Sequence, residues 1–551
     1  MVWAFVVASG LIASGMSAGA GAQTGGTRPR EVHLQLLGLN DYHGHIQDET
    51  PGSINGAPAG GAEFLATHIE RLQKGRRHSL VVAAGDLIGA SPLVSALFHD
   101  EPSIESLDIA GLDLASVGNH EFDEGWRELL RMQNGGCHPT DGCQDGDGFE
   151  GAGFHYLSAN VIRRDTREPL LPPYEVREVG GVEVAFIGMT LEGTPEIVTA
   201  SGVEGLEFRD EADTANRLVA RLRKQGIESF VVLLHEGGAQ PGGINDCSGI
   251  SGPVVDIVQR TTDRVDAFVT GHTHRAYNCV IDGAPVTSAS SFGRLVTDLR
   301  FTLDPRTGDV SAFSAENIVV THDVPRDRQE TALVEKYEAL SAPLANRVIG
   351  SITADITRDS TGAGESALGD VIADAQLEAT SAPDSGNAVV AFMNPGGIRA
   401  DLRQDQISGG EGPGEVTYGE AFNVQPFGNS LVTMTLTGAQ IERVLEQQFR
   451  SGSQVILQVS RGFTYTWDAA GPVGDRVDPS TIETDGVTVD PNASYRVTVN
   501  NFLADGGDGF SVLREGTDRV GGPVDLDALE AYFGAHSPVP PGPRARIARA
   551  N

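Results

Sequence analysis

The sequence predicts an α/β protein of two domains. At 551 residues the chain exceeds what one hydrophobic core usually organises. From residue 31 to about 323, short apolar runs alternate with amphipathic stretches at helical spacing, the pattern of sheets layered with helices. After a polar, helix-like stretch the alternation resumes from about residue 349.

The first segment stands apart. MVWAFVVASGLIASGMSAGAGAQTG is apolar through Ile12, then rich in small residues, with Ala20-Gly21-Ala22 before Gln23. Residues 1–22 are expected to be a signal peptide, although no Lys or Arg precedes the apolar run, and the mature chain is expected to carry no membrane span. An exported, periplasmic or extracellular location makes the cysteines legible. Cys137, Cys143, Cys247 and Cys279 are an even number, so two disulfides are expected in an oxidising compartment. Three pairings are open, and nearness in the chain favours Cys137 with Cys143 and Cys247 with Cys279.

Within the first domain, expected at 31–325, LQLLGL, SLVVAA, LDLAS, VEVAFIGMT, SFVVLL and VDAFVT read as strands. AEFLATHIERL and DTANRLVARLRKQG read as helices. In RDRQETALVEKYEALSAPLANRV, Leu333, Val334, Tyr337 and Leu340 share a helical face and Pro343 ends or bends the helix, so 326–348 is expected to link the domains. In the second domain, 349–540, SALGDVIADAQLEAT predicts a helix and NAVVAFMNPGGIR a strand with a glycine turn. NSLVTMTLTGAQIERVLEQQF predicts a strand and a helix, and SYRVTVNNFLADGGDGF a strand and an acidic glycine loop. A Pro-rich tail is expected to follow.

Lys and Arg number 40 against 75 Asp and Glu, a formal charge of −35. Binding to a nucleic-acid polymer or an anionic membrane is therefore not expected. An anionic substrate would need local positive charge from arginines or metal ions.

Five of the expected strands end in polar groups: Asp41 and His43, Asp86, Asn119 and His120, His235, and His272 with His274. In α/β sheets the carboxyl ends of strands gather the ligand site, so residues spread along the chain can converge. Carboxylate, imidazole and amide donors suit divalent metals of intermediate softness, and a bridging carboxylate lets two ions sit roughly 3.5–4 Å apart. Each motif alone is weak, since Gly-Asp and Asn-His pairs occur in many turns.

Together, NDYHG, Gly85-Asp86, GNHEFD, His235 after an apolar strand, and GHTH resemble the calcineurin-like metallophosphoesterase signature. NPGGIR, PFGN and NFLADGGDGF resemble the C-terminal domain of the 5'-nucleotidase family. The resemblance implies a metallophosphoesterase β-sandwich flanked by helices, then an α/β substrate-binding domain, joined by the linking helix. It further implies two divalent ions, zinc, manganese, iron or cobalt. Asp41, His43, Asp86 and His274 would hold one, Asp86, Asn119, His235 and His272 the other. His120, oriented by Asp123, would act on the phosphoryl group. Phe427 and Phe502 would sandwich a base, Asp508 and Asn394 would contact the nucleoside, and Arg399 the phosphate or ribose. An arginine usual before the second domain's first helix is replaced here by Gly362, and Arg358 stands four residues earlier. The implied activity is hydrolysis of nucleoside 5'-phosphates, with a nucleotide as the small-molecule partner. A UDP-sugar hydrolase, a 2',3'-cyclic phosphodiesterase with 3'-nucleotidase activity, and a catalytically silent nucleotide-binding surface protein remain alternatives.

Overall fold

The computed structural model describes residues 31–48, 52–450 and 453–550, so the expected signal peptide lies outside the described residues. The N-terminal half is built on two six-stranded sheets. The first runs in the order Asp309–Val319, Leu295–Asp304, Val32–Leu39, Ser79–Ala84, Leu112–Ser116, His155–Leu157. The second runs Ala276–Ile281, Ala284–Ala289, Ala267–Thr270, Ser229–His235, Val182–Thr190, Tyr174–Val179. The central strands are parallel, antiparallel strands close both edges of the second sheet and one edge of the first, and His155–Leu157 forms the other edge of the first in parallel.

The sheets pack face to face. Leu36, Val82 and Leu114 of the first share one buried cluster with Phe186, Val231 and Val269 of the second. Leu37, Val81 and Ala115 point the other way, under helices Ala62–Gln73, Glu101–Ile109 and Trp126–Asn134. Helices Glu211–Arg223 and Pro253–Arg260 cover the second sheet's outer face. Burial on both faces explains why these strands read as continuous apolar runs.

Helix Arg328–Ala345 is capped by the Asp327 side chain, which accepts from the Gln329 and Glu330 N–H groups. It buries Leu333, Val334 and Tyr337, but the buried face continues to Ser341, so Leu340 is exposed. Pro343 falls in the last turn and the helix runs on to Ala345, because a proline there disturbs only the turn behind it.

The C-terminal half centres on a five-stranded sheet in the order Gln458–Val459, Val390–Met393, Ser494–Asn500, Ser430–Thr437, Thr517–Val524. Val390–Met393 and Ser494–Asn500 are parallel, so NPGGIR and NFLADGGDGF leave the same end of the sheet. The chain beyond residue 540 is more than a tail. Ile547–Ala550 pairs in parallel with Phe463–Asp468, and buried Arg546 donates to both Asp374 oxygens at 2.7 and 2.8 Å. The prolines stop before IARA, which leaves that segment free to pair. Disulfides join Cys137 to Cys143 and Cys247 to Cys279. Among the described residues, no helix is long and apolar enough to cross a membrane.

Candidate metal centre

Five parallel strands from both sheets deliver polar side chains to one end of the sandwich. Convergence imposes unusual backbone: φ is +50° at Asp41, His43 and Asp86, +70° at His272 and +54° at His274. Side chains enter this region at a cost and stay where the surroundings over-determine them. Two glycines make the approach possible. A Cβ at Gly85 would stand 2.7 Å from His235 Nδ1, and one at Gly118 would collide with the Asp86 carboxylate.

Two groups result, Asp41 with His43 and His274, and Asp86 with His235 and His272, and a third, His43 with Asp86 and His120, overlaps both. His43 Nε2 lies 3.1 Å from His274 Nε2 and 3.7 Å from Asp86 Oδ2. His274 Nε2 is 3.4 Å from Asp41 Oδ1. His235 Nε2 is 3.0 Å from Asp86 Oδ2. Asn119 Oδ1 is 3.1 Å from His235 Nε2 and 3.0 Å from His272 Nδ1. The Asp86 carboxylate therefore reaches side chains of both groups.

The imidazoles are oriented from behind. His43 Nδ1 faces the Gly89 carbonyl and His235 Nδ1 the Ala84 carbonyl, each at 2.7 Å. A carbonyl only accepts, so each Nδ1 carries hydrogen and each Nε2 turns to the carboxylates, the arrangement that fixes metal-binding histidines. Burial holds His43 and His274 well below the usual histidine range, and burial with the His235 charge takes His272 to about 3. Neutral rings keep the lone pairs that ligation needs. Burial would raise Asp86, but His235 and His120 overcome it and hold this carboxyl well below its ordinary value. Burial opposes charge on His235, yet Asp86 pushes its pKa up to about 10, so an ion bound there would have to displace a proton from this ring. Oxygen and imidazole donors in two groups around one shared carboxylate fit a pair of divalent ions of the zinc, manganese, iron or cobalt kind.

His120 differs from these rings. Its Nδ1 lies 2.7 Å from Asp123 Oδ2, and its backbone N–H donates to Asp86 Oδ1 at 2.9 Å. Burial works against its charge, but Asp123 and Asp86 outweigh burial and raise its pKa. The C-terminal half meets it directly: the Phe427 ring stacks on His120 at 5.7 Å, and the Arg399 guanidinium is 5.8 Å from the Phe427 ring. The Leu93 N–H donates to Asn423 Oδ1 at 3.2 Å, which ties the two halves beside this point.

Other expected contacts are placed differently. Asn394 Nδ2 donates to Asp508 Oδ2 at 3.0 Å, so this pair is brought together. Phe502 is partly buried against the C-terminal core and lies over Gly507, where a Cβ would stand 2.5 Å from its ring. Phe427 and Phe502 form no ring contact among the described residues. Arg358 is exposed, and its Nη1 donates to the Arg399 carbonyl at 2.6 Å, so it braces the main chain that carries Arg399.

Three supporting residues escaped the sequence reading. Buried Glu121 accepts from the backbone N–H groups of Asp86, Leu87 and Gly118 at 3.1, 2.8 and 2.6 Å. Asn40 Nδ2 donates to Asp41 Oδ2 at 2.6 Å while its Oδ1 accepts from the Ala289 N–H. Phe292, with φ +61°, packs its ring 5.3 Å from His274 and 5.9 Å from His43. Glu121 and Asn40 sit inside motifs already singled out; Phe292 has no such signal.

Residues 34–276 match the calcineurin-like phosphoesterase family, and residues 348–515 match the 5'-nucleotidase C-terminal domain. Cell wall protein Lmo0130 of Listeria monocytogenes is 31% identical over 538 residues, covering 92% of this chain and 68% of that protein. The chain belongs to the 5'-nucleotidase family. Endonuclease YhcR of Bacillus subtilis is 33% identical over 516 residues, and the match spans 92% of this chain but only 40% of that relative's length. A 5'-nucleotidase precursor from Thermus thermophilus shares the fold, with a TM-score of 0.76 at 28% identity over 94% of this chain and 99% of that one. In 5'-nucleotidase terms, the strand-end residues fall in the calcineurin-like segment, and Arg399, Phe427, Asn394 and Asp508 in the C-terminal segment.

Proposed function

We propose that this chain is a secreted or periplasmic two-metal 5'-nucleotidase that hydrolyses nucleoside 5'-phosphates to nucleoside and phosphate. One observation carries the reading: Asp, His and Asn groups from five strand ends converge, His120 lies with His43 and Asp86 among them, and Phe427 of the other half stacks on His120 with Arg399 beside that ring. Asp41, His43, Asp86 and His274 would hold one divalent ion and Asp86, Asn119, His235 and His272 the other. Bound there, such ions supply Lewis acidity and positive charge to water and phosphate oxygens.

The chain's own residues supply the rest. Arg399 offers donors and charge to the phosphate. His120, whose charged form Asp123 and Asp86 favour against burial, is placed to give its Nε2 proton to the leaving ribose oxygen as water attacks phosphorus and the P–O bond breaks. Asn394 and Asp508 would meet the ribose, and Phe427 and Phe502 the base. The two disulfides and the apolar N-terminal segment support export. Phosphate release from AMP, UDP-glucose and 2',3'-cyclic AMP tests the assignment. AMP should be the fastest substrate; preference for either of the others would replace this reading with the corresponding alternative.

A further inference from the structure

A second cluster of metal-binding side chains stands outside the strand-end centre. His99, Glu124, Glu128 and His138 each offer a nitrogen or oxygen, all within 4.8 Å of one another. They come from separate pieces of chain: the turn after helix Leu93–Ala96, the segment after Asp123, helix Trp126–Asn134, and the loop closed by Cys137–Cys143. His99 Nδ1 is 2.7 Å from Glu124 Oε2 and its Nε2 3.1 Å from Asp141 Oδ2. His138 Nδ1 is 3.2 Å from the same Asp141 oxygen. The two imidazole rings stack at 3.7 Å. Arg131 holds Glu128 Oε1 at 2.6 and 2.8 Å, which anchors that carboxylate.

Surface histidines ordinarily turn their nitrogens to water. Here the two rings are 16% and 15% exposed: both His99 nitrogens face carboxylates, and His138 Nδ1 lies by the same Asp141 carboxylate while accepting from the Asp141 N–H at 3.2 Å. Burial opposes charge on His99, but Glu124 and Asp141 raise its pKa, and a divalent ion at that point would take the place of the proton they attract. Two imidazoles with two carboxylates suit zinc and its neighbours, and a ligating histidine commonly gives its second nitrogen to a carboxylate, the part Asp141 can take.

We propose that His99, Glu124, Glu128 and His138 bind a divalent ion of the zinc class, with Asp141 orienting the imidazoles. His99, Glu124 and Glu128 line a cavity of about 100 Å³ whose other walls include His120, Asp123 and Phe427. The ion therefore sits beside the reacting centre without sharing a ligand with it. Its disulfide-closed loop makes occupancy sensitive to reduction of Cys137–Cys143.

Zinc content of the full chain after equilibrium dialysis, read by mass spectrometry, tests this. The double variant His99→Ala, His138→Ala should bind one zinc fewer than the parent, and Asp86→Asn should lose zinc separately from that population. Circular dichroism checks folding. If the double variant unfolds, His138→Ala alone decides, since that side chain lies in the loop outside every helix and strand. A natively folded variant with the parent's zinc count would show an imidazole–carboxylate ion-pair network only, and the site would be withdrawn.

Discussion

Replacing Glu121 by Gln probes the support beneath the metal centre without touching a ligand. Its Oε2 accepts from the Asp86 and Gly118 N–H groups and its Oε1 from the Leu87 N–H. A glutamine keeps one oxygen, best placed where Oε2 serves two donors, and then sets an NH₂ against the Leu87 N–H at 2.8 Å. One bond is lost and leaves the buried Leu87 N–H unpaired, about 1–3 kcal/mol, and the other two weaken to the extent that the Glu121 carboxyl, which burial and Asp86 push up to about 7, is ionised. A total of about 2–4 kcal/mol follows, which at about 1.4 kcal/mol per tenfold is roughly 30- to 700-fold in local opening. Amide hydrogen exchange resolved to peptides covering 84–90 should speed up by that factor, with little change in the five-stranded C-terminal sheet. Metal affinity should fall with it, because the Asp86 loop loses its anchor. Unchanged exchange at Leu87 together with unchanged metal affinity would refute the idea that Glu121 holds this loop.

Other outcomes follow from the same geometry. His120→Asn should leave metal content intact and lower turnover on the order of 10²–10⁴-fold, read by phosphate release; equal loss of metal would make His120 a ligand. Phe502→Ala should weaken nucleotide use by roughly 1–3 kcal/mol of lost stacking while p-nitrophenyl phosphate hydrolysis stays at the parent rate. Phe427→Ala should affect both substrates, because this ring also packs on His120. Arg546→Ala strips buried Asp374 of its charged partner, leaving it only the Arg461 N–H, and should destabilise the C-terminal half by about 3–5 kcal/mol, seen as an earlier thermal transition. No shift there would mean the Arg546–Asp374 pair contributes nothing to stability.

Much of the site was legible because its motifs sit at strand ends. The apolar run before each of Asp41, Asp86, Asn119 and His272 marks a strand, and parallel strands must release their next residues on one side. The supporting interactions were less legible. Glu121 acts through three main-chain N–H groups from two loops, and nothing in its own spacing says which loops will be near. Phe292 lies in the turn between strands Ala284–Ala289 and Leu295–Asp304, far from His43 in the chain, so its approach to His43 is a tertiary fact. The contact of Arg358 with the Arg399 carbonyl is equally non-local. The tail was misjudged because its prolines argue against a strand, yet they precede the four residues that pair.

The most direct measurement is metal occupancy and phosphate release from AMP, taken together on the full chain and on Asp86→Asn. Asp86 reaches His43 at 3.7 Å and His235 at 3.0 Å, so both groups depend on its charge. The variant should lose metal at the strand ends and turnover in parallel. A variant with the parent's full metal content and unchanged rate would contradict a two-metal centre bridged by this carboxylate.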